Sequence, residues 1–189
     1  MEQNKDMKGF LLFSDILYGI VISSTFRFIE PTLTKPALIF IIISIIIIFD
    51  DWLLYHIQYK KIKPSIRFFA TSSLLDLIIL TIWFYSFLIT NKNYQDNGQY
   101  YFWIGVFYIF TSAWEFIFSG ATGTTYRGYL DLVCASVLFS FACIWHHSLC
   151  INHSEIQILF IIIAIRSLVW IDIVFEKHFK FFQVTDDNK

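Results

Sequence analysis

Six runs of about twenty mostly apolar residues, near positions 10–29, 37–57, 66–90, 100–119, 128–148 and 156–175, fill most of the chain. A helix needs about 20 such residues to cross the hydrocarbon of a bilayer. The runs are about twice as long as membrane β-strands and lack the alternation of a barrel strand. Ile-rich stretches such as Ile41 to Ile48 would favour strands in water. In lipid, only a helix or a closed barrel satisfies every backbone N–H and C=O. The runs therefore predict an all-α, polytopic membrane protein with six transmembrane helices, forming a single membrane domain over residues 1–189.

Composition supports that reading. Of the 189 residues, 57% are hydrophobic and 15% charged, and the mean hydropathy is +0.60. Soluble domains hold roughly 45–50% apolar and about 25% charged residues. Fourteen Lys and Arg against fifteen Asp and Glu give a net charge of −1, so nothing points to nucleic acid or an acidic substrate. Cys134, Cys143 and Cys150 are odd in number and lack C-x-x-C spacing, which argues against a disulfide framework. No small-residue cleavage site follows the first run, so it reads as a retained helix.

Breakers separate the runs: Pro31 and Pro36, Pro64, Asn91 to Gly98, Gly120 to Gly123, and Asn152 to Ser154. Ten Lys and Arg (5, 8, 60, 61, 63, 67, 127, 177, 180 and 189) fall on one side of the expected membrane, and Arg27, Lys35 and Lys92 on the other. The positive-inside rule then places both termini in the cytoplasm, within the plasma (inner) membrane for a bacterial host.

Ionisable groups inside spans are costly and mark functional candidates. They are Asp15, Asp50, Asp51, Asp76, Glu115, Asp131, Arg166 and Asp172. All the acids fall in the cytoplasmic halves of their helices, with Arg166 nearer the midplane and four residues before Trp170, at cation–π spacing. Acids near helix ends also reach headgroup water, which covers Asp131 and partly Asp15. Asp15 and Trp52, Asp76 and Trp114, and Asp131 and Trp170 stand 37, 38 and 39 residues apart. These spacings are compatible with three similar helical hairpins, although tryptophan is in any case enriched at membrane interfaces.

Phe13-Ser14-Asp15, in the stretch FSDILYGIVIS, resembles the FSD signature of the six-helix potassium channel family of bacteria and lysosomes. The resemblance implies that helix one lines a pore, with Ile20 as the hydrophobic constriction and Ser23 as a small polar pore position. It also implies that Trp52 and His56 of helix two support the signature. Gly9 stands where the family carries an Arg, with Lys8 one place off, and acids at Asp76, Glu115 and Asp131 are not family marks. The likeness spans about a dozen residues of helix one and part of helix two. A homotetramer follows from it, because one six-helix unit cannot enclose the pore. A ring of isoleucines can gate by dewetting, and hydroxyls beyond it can replace part of an ion's hydration shell. Independently, Gly19, Ser23 and Ser24 would permit close approach of another helix.

Other chemistry is poorly represented. His146, His147 and His153 near Glu155 read as solvated loop residues, so no metal is expected, and no cofactor. Haem-ligating histidine pairs, a phosphate loop and a catalytic Ser/His/Asp set are missing, and no enzyme activity is expected. Gly120 to Gly123 reads as a turn, and Asn152-His153-Ser154 is a sequon on the expected outer side.

The leading expectation is a small oligomeric ion channel conducting potassium in contact with membrane lipid. An alternative is a non-conducting sensor, immunity or anchoring subunit of a bacterial defence or envelope system. It would recruit a soluble partner through the tail Phe179 to Lys189, and the HFKFF stretch at its start, from His178 on, also suits an interfacial anchor. A further alternative is a proton-coupled transporter using Asp76, Glu115 and Arg166.

Overall fold

The computed structural model describes residues 3–29, 35–59, 66–92, 97–122, 125–146, 161–168 and 170–171. Five long helices follow in order: α1 (Gln3–Phe28), α2 (Lys35–Tyr59), α3 (Ile66–Lys92), α4 (Asn97–Thr122) and α5 (Thr125–His146). A sixth helical segment covers 161–168. No strand occurs among the described residues. The segments Ala70–Ile89 and Gly98–Phe118, of 20 and 21 residues, are long and apolar enough to cross a membrane.

The helices outrun the apolar stretches that announced them. α1 begins at Gln3, well before the apolar run, and α4 continues to Thr122 through part of the expected turn at Gly120 to Gly123. Apolar length marks only the part of a helix that would be able to cross hydrocarbon, whereas a helix satisfies its own backbone and can continue into polar sequence. Arg127 is corrected for the same reason. Its place between two apolar runs predicts a loop cation, but α5 starts at Thr125, and Arg127 lies in its first turn at 3% exposure.

Two compact units divide the chain, Met1–Cys150 and Ile151–Lys189. The first holds α1 to α5. Within it α4 packs most extensively, against α5 on one side and α3 on the other, and α3 also meets α1 and α2. Glycines bring α4 and α5 close. A Cβ on Gly105 would stand 3.0 Å from the Phe139 ring, and one on Gly128 would stand 3.0 Å from Phe116.

Fully buried side chains, including Trp83, Phe87, Ile104 and Leu138, fill the interior. Polar groups there are bonded across helices. The Trp83 indole donates to the Ser44 carbonyl at 2.8 Å, and the Ser44 hydroxyl meets the Tyr100 hydroxyl at 2.9 Å, tying α2, α3 and α4 together. Ser112 of α4 donates to the Gly128 carbonyl of α5 at 2.8 Å. Large apolar side chains line the outer faces at helical spacing: Leu38, Ile42, Ile46 and Phe49 on α2, and Leu74 and Leu77 on α3.

Candidate functional site: the clamp between helices one and two

Helix one has two distinct faces. Ser14, Tyr18 and Thr25 are buried, while Leu12, Phe13, Ile16, Ile20, Ser23 and Phe26 are exposed. The 3.6-residue period sends these two sets to opposite sides of the helix.

The inward side meets one turn of α2. Asp51, Trp52, Tyr55 and His56 repeat at i, i+1, i+4 and i+5, and they face Ser14, Asp15 and Tyr18 at i, i+1 and i+4. The Trp52 indole donates to Asp15 Oδ1 at 3.0 Å, and His56 Nε2 lies 2.8 Å from the same oxygen. His56 Nδ1 is 3.0 Å from the Trp52 carbonyl, and the two rings are 4.6 Å apart. Both imidazole nitrogens therefore face oxygen atoms, Nε2 that of Asp15 and Nδ1 that of the Trp52 carbonyl. Tyr18 donates to Asp51 Oδ2 at 2.7 Å, and Ser14 donates to the Tyr55 hydroxyl at 3.1 Å.

The arrangement is a clamp of hydrogen bonds, of which those to the Asp15 and Asp51 carboxylates are charge-assisted and stronger than the neutral one between Ser14 and Tyr55. It fixes how α1 is rotated against α2. Asp15 retains 42% side-chain exposure and His56 22%, so the clamp lies at the edge of the packed interior.

No protein family, curated protein or solved structure matches the chain.

The sequence-derived site residues divide as follows. Ser14, Asp15, Trp52 and His56 come together. Phe13, expected in the same network, lies instead on the outer face at 48% exposure. It stands beside Ile16 and Ile20 at helical spacing, because its neighbour Ser14 is the residue turned inward. Ile20, at 57% exposure, and Ser23 are also outward; the Ser23 hydroxyl donates to the Ile20 carbonyl at 3.0 Å.

Asp76, Glu115 and Asp131 are buried at 3%, 7% and 3% exposure. Arg127 Nε donates to the Tyr126 hydroxyl at 3.0 Å. Arg166 is half-buried within the second unit. Asp172, His147, His153, the sequon and the tail 179–189 lie outside the described residues. Among the described residues, no group of three His, Cys, Asp or Glu is placed to hold a metal ion.

Sequence reasoning passed over Tyr18 and Tyr55. Their signal was available: each stands four residues after a polar group, Ser14 and Asp51, on the same helix face. The acid–tryptophan bond of the first hairpin is not repeated in the second, where the Trp114 indole has no acceptor and Asp76 bonds Tyr55 instead.

Proposed function

We propose that the chain is a subunit of a small oligomeric potassium channel. It would cross the membrane six times with both termini in the cytoplasm, in the inner membrane of a bacterial host, and α1 would line a pore shared between copies. One observation carries the reading: α1 is clamped to α2 by Asp15, Trp52 and His56, while Ile20 and Ser23 project from the opposite face. A constriction residue in a shared pore must point away from its own chain, and its helix must be held at a fixed rotation.

Ile20 then forms the dewetting constriction, and Ser23 supplies hydroxyls one turn further along. The exposed apolar faces of α2 and α3 suit contact with lipid acyl chains. The homotetramer is taken from the resemblance of helix one to the FSD signature.

The test is potassium flux from loaded proteoliposomes, with a sodium control. Ile20→Asn should raise flux several-fold over the parent, and the parent should prefer potassium. At equal reconstitution, with insertion verified by protease mapping of the termini, a variant that conducts no more than the parent would show that α1 is not the pore.

A further inference from the structure

Asp76 is the only acidic residue of α3, and at 3% exposure it is among the most enclosed charged groups of the first unit. Its carboxyl is hydrogen-bonded to Tyr55, while its Oδ2 atom has no hydrogen-bond partner. Ser14 donates to the Tyr55 hydroxyl, which leaves the Tyr55 proton directed to Asp76. The Trp114 indole N–H, also buried and without an acceptor, belongs to a ring 5.7 Å from that of Tyr55. A buried carboxylate with a bare oxygen is costly. The cation that relieves the cost without a coordination shell is a proton, and the positive edge of an indole N–H disfavours a metal ion nearby.

We infer that Asp76 is an internal proton-binding site, read by helix one through the chain Ser14, Tyr55, Asp76. The proton adds to a carboxylate lone pair, converting the anion to the neutral acid, and no other bond breaks. In the ionised state Asp76 is a charge-assisted acceptor, which holds Tyr55 in place to accept from Ser14. Such bonds are roughly twice as strong as neutral ones, and neighbouring bonds in a chain reinforce one another. Protonation therefore loosens the seating of α1 at Ser14.

The titratable neighbours are Tyr18 on α1 and Asp51 and Tyr55 on α2. On α4 the nearest in sequence to Trp114 is Glu115, 7% exposed. Asp51 already accepts from Tyr18 at 2.7 Å, so it serves a different contact of the same helix. The site itself stands on burial and bonding, and only its effect on conduction rests on the channel reading.

Infrared difference spectroscopy of the full-length protein in lipid, titrated over pH, tests both parts. The parent should show a protonated-carboxyl carbonyl band that disappears as pH rises. Asp76→Asn should lose that band. Tyr55→Phe, which keeps the ring, should retain it at a higher frequency, because one hydrogen bond to the carboxyl is gone. A parent with no titrating band, an unchanged band in Asp76→Asn, or an unmoved band in Tyr55→Phe would overturn the proposal.

In proteoliposomes, the pH dependence of potassium flux should flatten several-fold in Tyr55→Phe; a profile unchanged from the parent would refute the coupling to α1. Absence of potassium flux in every variant would count against the channel alone, and the infrared result would still decide the proton site.

Discussion

Trp52→Phe probes the clamp most directly. The substitution keeps an aromatic ring but deletes the N–H that reaches Asp15 Oδ1 at 3.0 Å. A hydrogen bond to a charged group contributes about 1.5–3 kcal/mol. The lower end, about 1.5 kcal/mol, applies because the Asp15 side chain is 42% exposed and partial solvation screens the charge. Weaker contacts of the smaller ring with His56 and Phe49, now 4.6 and 5.5 Å away, add about 0.5 kcal/mol. His56 stays on the same oxygen, so no bare carboxylate is left and the loss is capped. The total, about 2 kcal/mol, is about 30-fold in the local opening of α1. Hydrogen exchange followed by mass spectrometry should show α1 amides losing protection by that order, with α4 and α5 unchanged. Trp52→Phe and His56→Phe should combine non-additively by about 1 kcal/mol, since both residues serve one oxygen. A change in α1 below about twofold, or an equal loss throughout α4 and α5, would refute the clamp.

Two glycines should respond oppositely to alanine. Gly105→Ala drives a Cβ to 3.0 Å from the Phe139 ring and should cost about 1–3 kcal/mol, lowering the thermal midpoint in micelles; Phe139→Leu should restore most of it. Gly19→Ala meets nothing within 4 Å and should be neutral or stabilise by up to about 1 kcal/mol in monomeric preparations; a fall matching that of Gly105→Ala would show the outer face of α1 to be packed. Trp83→Phe removes the 2.8 Å bond to the Ser44 carbonyl at a fully buried site and should cost about 2–3 kcal/mol in unfolding by circular dichroism. A cost under about 0.5 kcal/mol would mean that the bond contributes nothing.

Much of the fold was legible because apolar length is a local property. Each run from 37 to 119 sits inside a helix that extends it by only a few residues at either end. Asp15, Trp52 and His56 were also legible, through the FSD stretch and its partners on the second helix. Phe13 was misplaced because motif membership does not say which way a side chain turns. Adjacent residues on a helix point about 100° apart, so burying Ser14 leaves Phe13 outside. Arg127 was misplaced because a cation beside a glycine-rich stretch reads as a loop residue, whereas its burial depends on α4 lying alongside.

By itself, the sequence determined the helical class, because a helix satisfies its own backbone through runs of about twenty apolar residues that are too long and too unalternating for barrel strands. The tertiary structure alone decided which face of α1 meets α2, that Tyr55 rather than Trp114 bonds Asp76, and that the Asp15 oxygen is shared by two donors. Those choices depend on residues 21 to 41 positions apart in the chain. Their pairing is set by how whole helices rotate and slide to bury polar groups together, and no local pattern encodes that rotation.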